Sequence, residues 1–193
     1  METKKSFMVL KFFLVFLLGL LFVACGKDKE EKQEVRVIKV SHVFQTSEPT
    51  HIYIQQAADR INERLKGQIE FQVYPNGELP SYKDAIEQVL RGSDFVSVVD
   101  PSYIGDYVPD FTALVGPMLY NSYEDYTKVT SSDFVKELEK KAEEKGIKVL
   151  SLDFIFGFRN IVTDKVIKEP SDLEGVKIRV PASKLFIDTL NAM

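Results

Sequence analysis

From Val35 to Val99 the chain alternates β-prone runs with amphipathic helical stretches, and this alternation restricts the fold more than any other feature. Val35–Ser41 is β-rich. A helix is predicted from about Thr50 to Lys66, where Ile54, Ala57, Ala58, Ile61 and Leu65 share one stripe and Gly67 closes it. Ile69–Tyr74 reads as a second strand, ended by the turn Pro75-Asn76-Gly77. Ser81 with Asp84 is an N-cap arrangement for a shorter helix, with Ala85, Ile86, Val89 and Leu90 on its apolar face and Gly92 as its stop. Phe95–Val99 is nearly all apolar, as in strands buried on both faces. The connections are long enough for crossovers, so the expectation is an α/β fold with a parallel sheet and helices on both sides.

Ligands of such sheets bind beyond the carboxyl ends of the strands. Ser41 and His42 follow the first strand, and Asp100 follows the third. His42 either donates to a ligand oxygen or is a loop histidine satisfied within the protein. Asp100 precedes Pro101; it either caps the segment Ser102-Tyr103-Ile104 or accepts from ligand hydroxyls. His51 reads as a helix-start residue. Phe134, Leu138 and Ala142 form the stripe of another helix between Ser131 and Gly146, whose Lys- and Glu-rich outer face is solvated surface. Ile147–Leu152 reads as a further strand.

Two arginines then stand in short β-prone runs, Arg159 in Phe158–Thr163 and Arg179 in Val176–Val180, the latter stopped by Pro181. Between them lie a helix-start signal, Pro170-Ser171-Asp172-Leu173, and a stop, Gly175. A guanidinium is always charged, is costly to bury unpaired, and matches a carboxylate in two parallel hydrogen bonds. Either these arginines hold a ligand carboxylate, or they face outward or pair with a neighbouring acidic side chain. Ser183–Met193 reads as a helix with Leu185, Phe186, Thr189 and Leu190 on one face.

The pattern G-x-R-N-I at Gly157–Ile161, followed by D-L-x-G-x-K-I-R-V-P at Asp172–Pro181, resembles the substrate-binding subunits of TRAP transporters, the tripartite ATP-independent periplasmic carriers of organic acids. The run Glu48-Pro49-Thr50-His51, the stretch Gly105–Phe111 and the stretch Leu114–Tyr120 resemble the same family. The resemblance implies a periplasmic-binding-protein-like fold of two lobes (type II-like). It implies that Arg179 clamps the substrate carboxylate with Arg159 near it, and that a polar or acidic residue such as Asp100 stands at the third strand's end. The resulting expectation is a first α/β lobe over 35–156 and the start of a second, incomplete lobe over 157–193. Members of the family continue beyond this length, so the chain is expected to be the N-terminal part of a binding protein.

Residues 1–24 have the parts of a signal peptide: Lys4, Lys5 and Lys11, then an apolar run of 13 residues, Phe12–Ala24. That run is shorter than the roughly 20 residues that span a bilayer. Phe22-Val23-Ala24-Cys25-Gly26 resembles a bacterial lipobox, which implies a lipidated Cys25 anchoring the protein to a membrane of the cell envelope; Phe22 departs from the usual leucine. Residues 25–34 are polar and mixed in charge, a flexible tether. Cys25 is the one cysteine, which excludes an internal disulfide and a cysteine-based zinc site.

Removing residues 1–24 takes three lysines and Glu2 from a chain with 25 basic and 29 acidic residues, leaving 22 and 28, a net charge of −6. That balance disfavours nucleic acid as a partner. There is no G-x-S-x-G, no phosphate-binding glycine loop and no H-E-x-x-H, so a hydrolase has no support and no metal or cofactor is expected. The readings that remain are a solute-binding lipoprotein that delivers a carboxylate to TRAP membrane subunits, a ligand sensor using the same pocket, and a truncated fragment without function.

Overall fold

The computed structural model describes residues 34–155 and 157–193. The expected signal peptide, Cys25 and all but the last residue of the expected tether lie outside the described residues. Three strands form a parallel sheet: β1 (Arg36–Ser41), β2 (Ile69–Tyr74) and β3 (Phe95–Ser97). Their order is β2-β1-β3. The register runs from Arg36↔Ile69 to Ser41↔Tyr74 on one side of β1, and from Lys39↔Phe95 to Ser41↔Ser97 on the other.

Helix α1 (Pro49–Arg64) joins β1 to β2, and α2 (Tyr82–Leu90) joins β2 to β3. The chain steps one way from β1 to β2 and back across β1 to β3, so right-handed crossovers place the two helices on opposite faces. Consecutive residues Val40 and Ser41 are accordingly both buried, since neighbours along a strand face opposite sides. The expected stripe of α1 is seen, with Ile54 and Ala58 buried. Gly92 ends α2 in the left-handed region, φ 77°, its N–H returning to Val89 O at 2.9 Å.

Strand β3 is shorter than the expected Phe95–Val99 and only half-buried. Its place at the sheet edge accounts for this: it pairs with β1 alone, and the doubly covered position belongs to β1. The other edge, β2, is closed by a side chain. Asn62 of α1 donates from Nδ2 to Phe71 O at 2.9 Å and accepts Phe71 N–H at 2.6 Å. Asn62→Ala leaves both backbone groups part-buried without partners and is expected to cost about 1–3 kcal/mol. Urea unfolding would measure it.

After β3 the chain makes two 3-10 turns, Pro101–Asp106 and Pro109–Leu114, then α3 (Tyr123–Thr130) and α4 (Asp133–Glu144). The main core lies here, where Tyr103, Ile104, Val108, Phe111 and Leu114 of this turn region pack with Ile86 of α2 and with Val135, Leu138 and Ala142 of α4. The α4 stripe starts at Val135, not at the expected Phe134, which is 55% exposed. One residue is about 100° of helical rotation, and Phe134 falls on the wrong side of that step.

The three further strands expected at Ile147–Leu152, Phe158–Thr163 and Val176–Val180 are not formed. Ile147–Leu150 keeps a strand's alternation, with Ile147 buried, Lys148 exposed, Val149 partly buried and Leu150 exposed. It has no neighbour to complete a ladder among the described residues. Phe158–Thr163 is exposed throughout. β-propensity records fit to a pleated, half-covered surface, and without a partner strand it does not make one. The helix-start signal at Pro170 yields a single 3-10 turn, Pro170–Leu173, held by Asp172, which accepts from the N–H groups of Lys168 and Glu169 at 2.8 and 3.1 Å. Helix α5 (Lys184–Ala192) follows, with the expected face of Leu185, Phe186, Thr189 and Leu190 half-buried.

Candidate functional site

β1 and β3 are hydrogen-bonded neighbours with Ser41 opposite Ser97, so the segments leaving their carboxyl ends start side by side. Val98 N–H donates to Ser41 O at 3.0 Å and extends that contact by one residue. His42 and Asp100 therefore belong to one end of the sheet.

Asp100 does the capping that its position suggested: Oδ1 accepts Ser102 N–H at 2.9 Å, starting the Pro101–Asp106 turn. Its second oxygen accepts from Arg159 Nη2 at 3.0 Å. The Asp100 side chain is 11% exposed and that of Arg159 44%. The Arg159 guanidinium also lies over the Phe186 ring of α5, 4.4 Å from its centroid, a cation–π contact. Phe158 stacks on Tyr123 of α3 at 5.2 Å with 12° between the rings, which anchors the preceding residue. Helix α5 packs against the Pro101–Asp106 turn. Thus Arg159, 59 residues from Asp100 in sequence, is brought to the end of β3 by an ion pair and by aromatic packing.

Arg179 is exposed. Its charge and that of Arg159 both act on the phenol of Tyr103, which is buried on the same turn. Burial is the main cause that pushes the Tyr103 hydroxyl up, with Tyr82 and Asp100 adding to it and the two arginines opposing. Tyr126 feels Asp100 as well; burial first, then Tyr120 and the carboxylates, push it up to about 12. Both phenols keep their protons at neutral pH. Among the described residues, the hydroxyls of Ser97, Ser102, Tyr120 and Ser183 are buried without hydrogen-bond partners. Ser97 and Ser102 flank Asp100, and Ser183 begins α5. The corner offers the Arg159 guanidinium, a carboxylate and several hydroxyls, with the charge of Arg179 near enough to act on Tyr103, a set suited to an oxygen-rich anion.

His42 is fully buried. Its Nδ1 accepts Phe44 N–H at 3.2 Å and its Nε2 faces Nδ1 of His51 at 3.1 Å. Both of its ring nitrogens are thus occupied by protein groups, and it meets nothing outside directly. Burial is the main cause that lowers its pKa, His51 adds to this, and Glu48 opposes. An unfolded His42 therefore binds a proton before the folded one does, and stability is lost as pH falls below its ordinary value of 6.5. The loss is at most about 1.4 kcal/mol per pH unit. Urea unfolding at pH 7.5 and 5.5 is expected to show this excess loss and to show it removed in His42→Gln; equal losses in both would contradict it.

The sequence supplied Asp100, Arg159, Arg179 and His42 singly; it did not supply the Asp100–Arg159 pair, the two tyrosines or the His42–His51 contact. The expected helix-start position of His51 is seen, since it is the third residue of α1. Among the described residues no group of three or more His, Cys, Asp or Glu could hold a metal. No helix among them is long and apolar enough to cross a membrane.

Residues 40–193 match the family DctP, described as bacterial extracellular solute-binding protein, family 7. A solved TRAP periplasmic solute binding protein from Desulfovibrio salexigens, in complex with diglycerolphosphate, is 52% identical with a TM-score of 0.79, over 82% of this chain and 51% of that one. A second, from Fusobacterium nucleatum with bound sn-glycerol-3-phosphate, is 47% identical with a TM-score of 0.79, over 82% and 51%. The C4-dicarboxylate-binding protein DctB of Bacillus subtilis is 28% identical over 83% of this chain and 46% of that protein. The chain spans about half the length of these relatives.

Proposed function

The chain belongs to the family of bacterial extracellular solute-binding proteins, family 7, and on that premise we propose that it captures a small organic anion outside the cytoplasm and delivers it to the membrane subunits of a TRAP-type carrier. The observation that carries the reading is the corner at the end of β3, where the Arg159 guanidinium pairs with Asp100 and lies over the Phe186 ring. Anionic oxygens take planar, paired donors better than point charges, and guanidinium supplies them.

The solute class we favour is a polyol phosphate, ahead of a sugar acid or a C4-dicarboxylate. The two relatives at 52% and 47% identity hold diglycerolphosphate and sn-glycerol-3-phosphate. One at 33% holds L-galactonate. A phosphate presents more anionic oxygens than a carboxylate, enough for two guanidiniums at once. In this reading Asp100 holds Arg159 in place and accepts from the solute's hydroxyls. The chain's expected two-lobe organisation, with a second lobe starting near Gly157, would enclose the solute by hinge closure. A thermal-shift screen of polyol phosphates, sugar acids and dicarboxylates tests the reading. The expected result is a raised midpoint with at least one anion; no shift with any class would contradict it.

Cys25 is the proposed membrane anchor. A single acyl chain binds marginally, so firm retention requires more than one. Cys25→Ser is expected to release the protein from the membrane fraction or to leave it unprocessed, as fractionation and mass spectrometry of the N-terminus would show. Unchanged retention with a cleaved, unlipidated N-terminus would contradict it.

A further inference from the structure

The His42–His51 pair has a fixed polarity. Phe44 N–H donates to His42 Nδ1, so that nitrogen carries a lone pair and the neutral ring has its proton on Nε2. That Nε2–H points at His51 Nδ1, 3.1 Å away, which must in turn be the acceptor. A neutral His51 therefore has its proton on its own Nε2. This relay runs outward: His42 is fully buried, and His51 is only half-buried in the first turn of α1. Nothing among the described residues bonds His51 Nε2. Here the inner ring is fully satisfied, and the outer ring ends in a donor.

We propose that His51 is a solute-contacting residue whose Nε2–H donates to an anionic oxygen, and that His42 is a positioning residue that sets its tautomer. The proposal rests on the solute-binding reading above. Place supports it, because His42 lies in the loop beyond the carboxyl end of β1, beside the segment that carries Asp100, and His51 stands in the first turn of the helix into which that loop leads. Polarity supports it too. The exposed nitrogen presents a proton and no lone pair, so it suits an anion and not a metal ion. Glu48 is the charged group that faces His42, and its Oε1 is already held by Gln45 N–H at 2.7 Å.

These 193 residues contain two histidines, and in 15N-histidine-labelled protein each ring's signals are identified by their loss in His42→Phe or His51→Phe. The tautomer expected of both rings is the one with its proton on Nε2. A His51 protonated at Nδ1 would overturn the proposal. In His42→Phe, His51 is expected to populate both tautomers; a single unchanged tautomer would overturn the positioning role. Millimolar sn-glycerol-3-phosphate or L-galactonate is expected to shift the His51 Nε2 signal. His51→Phe is expected to weaken binding of the responding probe about ten- to a hundredfold. If the arginine side-chain signals respond while His51 does not, and His51→Phe binds within about threefold of the parent, the His51 assignment fails and the solute-binding reading stands. If no signal responds to either probe, both fail.

Discussion

Phe111→Ala is expected to lower the stability of the protein by about 3–5 kcal/mol. Phe111 is 0% exposed and sits in the Pro109–Leu114 turn, where the chain has no long helix or ladder to hold it. Its ring is the largest fully buried side chain among the described residues, and Tyr103, Leu138 and Ala142 belong to the same core. Deleting it removes transfer free energy and leaves a cavity that fixed neighbours fill only in part. The total stability of a domain is about 5–15 kcal/mol, so this one change takes a large share. Phe134→Ala is the control. That ring is 55% exposed on the adjoining helix, and its loss is expected to cost within about 0.5 kcal/mol. Urea unfolding of both variants measures the difference. Similar costs would mean that the core is not where the structure places it.

Arg179→Lys is expected to weaken solute binding by about 2–5 kcal/mol in the full-length protein. Lysine keeps the charge but loses the paired donors, so the loss isolates geometry from net charge. The figure assumes a site closed around the solute. In open water an ion pair is worth at most about 1 kcal/mol, and Arg179 is exposed in the described structure. Arg159 differs, because Asp100 and Phe186 already hold it. Arg159→Lys loses the fork and the stacked ring together, so it is expected to affect folding of the corner as well as binding. Titration calorimetry beside urea unfolding separates the two arginines.

How far the sequence discloses this structure changes at β3. Before it, the strand Ile69–Tyr74 has the expected bounds and the stripe through Ile54 and Ala58 is buried as its spacing requires. These elements are specified locally, by periodicity and by glycine or proline at their ends. After β3 the helix signals still hold, since α4 and α5 form where their spacing puts them, but the strand signals mislead. Val176–Val180 is as β-prone as Val35–Ser41, yet only the latter finds neighbours on both sides. Whether a run becomes a strand is decided by what lies beside it, and that information is not in the run. Phe134 and Val135 show the same limit on a smaller scale, because either residue fits an apolar stripe until α4 meets its core.

The site divides in the same manner. Asp100 was legible as a polar residue closing an apolar strand, and its alternative as a cap is also realised. The arginines were legible because charge in an apolar run needs a reason. That Arg159 meets Asp100 was not legible, since 59 residues separate the partners and no spacing rule spans that distance. His42 and His51 stand in one loop and one helix turn, close enough in sequence for contact. Only the loop's fold brings Nε2 to Nδ1.

The most direct test of the account is titration calorimetry of the full-length protein with sn-glycerol-3-phosphate, glycerol and L-galactonate, repeated on Arg179→Lys. The account predicts saturable micromolar binding of at least one of the two anions, no detectable binding of glycerol, and the stated loss in the variant. Binding of glycerol as tight as that of the anions, or an Arg179→Lys affinity within threefold of the parent, would contradict the claim that this corner is an anion clamp.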